Sequence, residues 1–148
     1  MKNEFIKCGF IGCGAELIWT TIGEIRKKNY KLEGHTSAWM FPIYGMACVI
    51  EPLSRKLKNR KENLFTRGTI YTGMIFGVEY ITGTVLKKVG KCPWDYSSAK
   101  YNIKGVIRLD YAPLWFGMGL LYEGILSEGN DRNKSTINSK QHKKLLHR

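Results

Sequence analysis

The sequence predicts an all-α fold, an integral membrane bundle of four transmembrane helices formed by two tandem helix-pair repeats that run parallel to each other. Three observations carry this. Four apolar segments alternate with strongly basic connections, short glycine- and glutamate-bearing blocks recur in the same order in both halves, and the repeat places one glutamate in each apolar segment. The length, 148 residues, suits one compact unit.

The averages conceal this pattern. A hydrophobic content of 43% and a mean hydropathy of −0.28 would fit an ordinary soluble domain, but they mix apolar runs with segments dense in lysine and arginine. The formal charge of +12 is compatible with phosphates of nucleic acid or with anionic lipid. Placement separates the two. Arg26, Lys27, Lys28 and Lys31, then Arg55, Lys56, Lys58, Arg60 and Lys61, then Lys87, Lys88 and Lys91 lie between apolar runs. A groove that tracks a phosphate backbone needs no such punctuation. The lipid bilayer is therefore the expected partner, and nucleic acid is not.

The first helix is expected from about Phe5 to Ile25, the second from Trp39 to Leu53, the third from Arg67 to Leu86 and the fourth from Leu109 to Leu126. A bilayer core needs about 20 residues of helix, which the first and third supply. The second and fourth are short and must borrow turns from their flanks or cross with little tilt. No small-residue cleavage site follows the first run, so it is expected to stay in the mature chain. Residues 1–126 thus form one transmembrane domain, with repeat one at about 5–53 and repeat two at 67–126. Residues 127–148 are polar and basic and are expected to be a flexible tail.

The repeat is legible as two offsets. Gly14-Ala-Glu16-Leu-Ile18 matches Gly77-Val-Glu79-Tyr-Ile81 at 63 residues, and Gly45-Met46 with Glu51 matches Gly117-Met118 with Glu123 at 72 residues. Gly34 to Pro42 and Gly105 to Pro113 lie between these blocks at equal spacing. The second half carries a longer loop. Two spans per copy return the chain to its starting side, which makes the repeat parallel.

Glu16, Glu51, Glu79 and Glu123 are the candidate substrate- or ion-binding residues. Counted along the helices, all four fall at similar depth from one face. Ionisable groups in a span are costly and commonly face the bundle interior or a wet cavity. Several carboxylates packed together cannot all stay ionised without protons or a cation. The competing reading is structural: Glu51 before Pro52 and Glu123 near Ser127 end their helices, and Glu16 and Glu79 serve polar packing.

Small residues supply packing faces. Gly73-Met-Ile-Phe-Gly77 and the set Gly9, Gly12 and Gly14 let helices approach closely in lipid. Gly12-Cys-Gly14 is no dinucleotide fingerprint, because Leu17 stands where the third glycine belongs. Cys8, Cys13, Cys48 and Cys92 form no CxxC pair and read as small apolar residues, so neither a metal site nor a disulfide framework is expected. Trp39, Tyr44, Trp94, Tyr96, Tyr101, Tyr111 and Trp115 fit aromatic belts at the interface. The loop motif Trp94-Asp95-Tyr96-Ser97 with Asn102 is placed to fold back as a cap over the bundle. His35 and Asp95 share a face, which is weak ground for catalysis, and no nucleophile–base pair is visible. Neither enzymatic activity nor a cofactor is expected. Fourteen lysines and arginines fall on the side of the termini and middle linker against ten on the other. This places a multi-pass protein in the cell membrane with cytoplasmic termini.

Three segments, Trp39-Met-Phe-Pro42-Ile-Tyr44-Gly45, Cys92-Pro93-Trp94-Asp95-Tyr96-Ser97 with Asn102 and Gly105, and Arg108-Leu-Asp110-Tyr111-Ala-Pro113-Leu-Trp115, carry a family resemblance. Over roughly residues 5–126 the chain resembles the CmpB-type "putative ABC-transporter type IV" family of small bacterial membrane proteins. The resemblance implies a multi-span protein of permease type, with distant eukaryotic relatives among small four-span proteins. It brings no catalytic residues. The chain has no Walker A sequence and cannot itself hydrolyse ATP. The expected function is a transporter permease-like component, as a homo-oligomer or with a membrane or ATPase partner subunit. The alternative is a non-transporting membrane scaffold or accessory subunit.

Overall fold

The structure, a computed structural model, describes residues 2–26 and 35–127. The predicted basic tail, apart from residue 127, and most of loop one, with Lys27, Lys28, Lys31 and Gly34, lie outside the described residues.

The fold is all-α. Helix α1 spans Lys2–Arg26. Helix α2 (Met40–Gly45), a 3₁₀ turn (Met46–Val49) and α3 (Ile50–Asn59) follow one another without a gap, so they make a single helical run. Helix α4 spans Leu64–Lys88, and α5 covers residues 112–127. Between α4 and α5 lies an antiparallel ribbon of β1 (Asn102–Ile103) and β2 (Ile107–Arg108), then a 3₁₀ turn at Leu109–Tyr111. The sequence placed no strand there.

Local chemistry explains the boundaries. Asn63 caps α4, its side-chain oxygen accepting from the Thr66 amide at 2.8 Å, which satisfies one of the orphan donors of a helix start. Lys87 and Lys88 fall in the last turn of α4, where cations oppose the negative end of the dipole. Pro42 and Pro113 sit in the first turns of α2 and α5, where a missing N–H leaves no bond unmade. Pro52 lies in the first turn of α3, just after the 3₁₀ turn. The tighter turn absorbs the bond that proline cannot donate, and the helix runs on to Asn59 instead of ending near Leu53. Ile50, Ser54 and Leu57 are its buried face, at helical spacing.

Glycines set how closely the elements approach. A Cβ on Gly9 would meet the Phe41 ring, one on Gly12 would enter Tyr44, and one on Gly45 would meet Phe5, so α1 packs antiparallel on α2 backbone to ring. In the second pair, Gly68 receives Phe116 and Gly119 receives Tyr71. Tyr122 on α5 donates to the Cys8 carbonyl of α1 at 3.2 Å, which joins the two pairs. The core gathers Cys8, Cys48, Ile50, Leu57, Tyr71, Tyr122 and Leu126. All four cysteines are free, with Cys8 and Cys48 buried.

The GxxxG face has a different fate. Among the described residues, Gly73 and Gly77 have nothing within 4 Å of a would-be Cβ, so this face of α4 packs no described helix. Large apolar side chains also point outward: Phe65 is 73% exposed, Phe10 68% and Ile81 65%. Among the described residues, α1 is the helix long and apolar enough to cross a membrane.

Candidate functional site

Both helix pairs share a feature that makes a cavity. The second helix of each pair does not begin at the loop; a non-helical segment first descends alongside the first helix. After loop one, the His35 amide donates to the Thr20 hydroxyl at 3.0 Å, and the Thr36 hydroxyl donates to Glu16 Oε2 at 2.6 Å. In the second pair the ribbon plays this part. Val106 and Trp94 pack over Gly83 of α4, and Lys104 reaches the Tyr80 hydroxyl at 2.9 Å. Helices that start so deep leave the loop-side end of the bundle unfilled.

The space left is a cavity of about 690 Å³. It extends along α1 from Gly12 to Glu24 and is closed by Glu79 of α4, by Tyr44 of α2 and by Tyr111, Trp115 and Tyr122 on the α5 side. Its wall is a chain of aromatic edges. Trp19 meets Tyr111 with centroids 6.2 Å apart, Tyr111 meets Tyr96 at 5.8 Å, and Tyr111 meets Trp115 at 6.4 Å, all edge-to-face. The two helix pairs therefore join across this aromatic seam.

The cavity separates the four predicted glutamates into two pairs. Glu16 and Glu79 line it. Glu79 is 9% exposed, and its Oε2 has no hydrogen-bond partner among the described residues. The Trp115 indole lies beside it without a regular hydrogen bond. Glu51 and Glu123 lie elsewhere. Glu51 pairs with Arg55 at 3.0 Å. Glu123 accepts from Lys58 at 2.8 Å, Arg67 at 3.2 Å and the Tyr71 hydroxyl at 2.8 Å. The expectation of one common depth does not hold, because it assumed that each second helix starts at the loop. The descending segments push those helices, and Glu51 and Glu123 with them, toward the opposite end.

The aromatic belt divides likewise. Tyr44, Trp94, Tyr96, Tyr111 and Trp115 line the cavity, whereas Trp39 at 45% and Tyr101 at 56% are exposed. Sequence reasoning missed Trp19 and Tyr122 as wall residues. It also missed that Met40, Met46, Met74 and Met118, the four methionines among the described residues, all face this space. Two of them, Met46 and Met118, occupy matching positions in the repeated blocks, a signal that was available. Among the described residues, no group of three or more His, Cys, Asp or Glu is placed to hold a metal ion.

With this geometry in place, comparison with known families adds one finding. A family model described as "Putative ABC-transporter type IV" matches residues 4–146. The chain belongs to that family. No solved structure matches it. The family description, with one helix fit to cross a bilayer, points to a membrane protein related to ABC transporters.

In this type IV family member the Trp94–Ser97 segment does two jobs. Trp94 and Tyr96 turn toward the cavity, while Asp95, Ser97 and Asn102 frame the ribbon. Asp95 Oδ1 accepts from the Ser97 hydroxyl at 2.6 Å, the Ser97 amide at 3.1 Å and Lys87 at 3.1 Å. Asn102 donates to the Ala99 carbonyl at 2.6 Å and accepts from the Gly105 amide at 2.9 Å. Lys104 and Gly105 both have positive φ, as a tight hairpin turn of the primed kind requires. A Cβ at Gly105 would strike Ser97 and Asp95. The Trp94 indole donates to the Val106 carbonyl at 3.0 Å, which ties the frame to the cavity wall.

The frame has a pH signature. The Ser97 hydroxyl, then Lys87, hold the Asp95 carboxyl down at about 2. A carboxylate with a lowered folded pKa contributes stability above its unfolded value and loses it as pH falls through the folded one. Exchange protection of the Ser97 amide should therefore be constant down to about pH 4 and fade toward pH 2. In Asp95→Asn it should be low at every pH. Fading that begins near pH 6 would contradict this account.

Proposed function

We propose that this protein is a multi-pass component of the cell membrane with the character of a transporter permease. In this reading all four helical runs cross the bilayer, the termini lie in the cytoplasm, and Glu16 and Glu79 are the working carboxylates. The single observation that carries it is the cavity of about 690 Å³ with the buried, incompletely bonded Glu79 in its wall. Buried carboxylates inside a span commonly mark ion or substrate paths. The run 40–59 is 20 residues long, about 30 Å, and can span. Helix α5, with 16 residues at 112–127, reaches about 24 Å and needs the preceding 3₁₀ turn to approach the same depth. No catalysis is assigned to the chain, and ATP hydrolysis, if the transport uses it, belongs to a partner subunit.

A second reading has its own support. The open Gly73–Gly77 face, flanked by exposed Ile70 and Ile81, is suited to close approach of a second helix in lipid. It fits a scaffold or accessory subunit whose work is partner contact, or the homo-oligomer that a pathway through so small a bundle requires.

One experiment separates the two. Reconstituted in proteoliposomes, the parent should show substrate or proton flux, and Glu79→Gln and Glu16→Gln should lower it at least about 100-fold, roughly 2.7 kcal/mol. Flux unchanged by both substitutions would end the permease reading. Altered assembly in a parent that carries no flux would favour the scaffold.

A further inference from the structure

Among the described residues, the lining of the cavity differs in charge character from the chain as a whole. The sequence holds 24 lysines and arginines against 12 aspartates and glutamates. Yet among the described residues no lysine or arginine lines the cavity, and the carboxyl groups of Glu16 and Glu79 do. Glu16 is engaged by the Thr36 hydroxyl at 2.6 Å. Glu79, nine-tenths buried, lines the space, and its buried Oε2 has no hydrogen-bond partner among the described residues. A carboxylate held there is neutralised by a proton or by a cation supplied from outside. The rest of the wall selects the kind of cation. Trp19, Tyr96 and Trp115 line the cavity and pack edge-to-face on or through Tyr111, whose own face carries the Arg108 guanidinium at 4.5 Å; the face of an aromatic ring, which is its negative part, attracts a weakly hydrated organic cation. Met40, Met46, Met74 and Met118 complete the apolar lining, and flexible thioethers adapt to ligands of varied shape. A volume of about 690 Å³ lies within the range of sites for drug-sized molecules.

We propose that the cavity is a binding site for lipophilic organic cations, with Glu79 as the counter-ion and the aromatic wall as the cradle. This rests on the reading of the cavity as the substrate site of a permease-like protein and names the ligand class that reading leaves open. The positive charge sits against Glu79, apolar substituents fill the space toward Met74 and Met118, and Glu16 holds Thr36 and the descending segment in place.

The test is equilibrium binding of tetraphenylphosphonium to the purified full chain in nanodiscs of neutral lipid. The parent should bind it saturably and should not bind tetraphenylborate, an anion of the same shape. Glu79→Gln should weaken binding about ten-fold or more, and Glu62→Gln, which removes a carboxylate outside the cavity, should leave it unchanged. Because Glu79→Gln alone could perturb folding, Ala15→Trp, which fills the cavity and leaves every charge in place, should also abolish binding. Each variant's melting transition verifies the fold. Equal binding of the anion, or parental affinity in either Glu79→Gln or Ala15→Trp, would overturn the proposal. Saturable binding without flux would sink the permease reading alone, while flux of another solute without tetraphenylphosphonium binding would sink this one alone.

Discussion

Glu123→Ala is expected to lower the stability of the detergent-solubilised protein by about 3 kcal/mol, the usual cost of removing one partner from a buried ion pair. Glu123 is 5% exposed. It ties three elements together: Lys58 near the end of α3, Arg67 and Tyr71 on α4, and its own α5. Lys58 has a half-open side chain, 43% exposed, and contributes little by itself. The loss comes from Arg67, whose side chain is 16% exposed, and from the buried Tyr71 hydroxyl. Without the carboxylate, Arg67 keeps the Glu62 carbonyl at 2.9 Å and Tyr71 loses its acceptor. Glu123→Gln, which keeps an acceptor but no charge, should fall between. Thermal or denaturant unfolding in micelles measures both. A loss under about 1 kcal/mol would show that the cluster behaves as a solvated surface pair.

Gly12→Val should be as damaging, through packing rather than charge. A Cβ at Gly12 would overlap the Tyr44 side chain and stand 2.7 Å from the Tyr122 hydroxyl, and both tyrosines wall the cavity. Overpacking of this kind costs about 1–3 kcal/mol or more, because α1 and α2 must separate. The cavity must change shape with them, so ligand binding should fall along with the melting temperature. Gly14→Ala is the matched control. Among the described residues, no other part of the fold lies within 4 Å of a Cβ placed there, and alanine is favoured over glycine within a helix by about 1 kcal/mol. It should be neutral or stabilising. Equal effects of the two substitutions would refute the close approach of α1 to α2.

Much of the helical architecture was legible, because apolar runs and basic punctuation report directly on helices. The expected spans at 5–25 and 67–86 differ from α1 and α4 by no more than three residues at either end. The second span was read too short, since Pro52 and the basic residues after it look like a helix end. Only the 3₁₀ turn before Pro52 shows why the helix continues. The ribbon was not foreseen. Asn102–Ile103 and Ile107–Arg108 are too short for any periodicity, and the positive φ of Lys104 and Gly105 cannot be read from a Lys-Gly pair alone.

The cavity lining was half legible. Glu16 and Glu79 were picked out as costly charges in apolar runs, and they do share a cavity. Glu51 and Glu123 met the same criterion and lie elsewhere. The tyrosines and tryptophans near the loops have the composition of an interface belt whether they face lipid or each other, so their joint facing of one space was invisible along the chain.

What the sequence alone determined is the helical class, the basic connections and the identity of the costly carboxylates, because periodicity and burial cost are properties of a segment. What only the tertiary structure decided is which carboxylates meet. That depends on where each second helix begins, and it is set by hydrogen bonds from Thr36 to Glu16 and from Lys104 to Tyr80, contacts between residues twenty or more positions apart that no local pattern encodes.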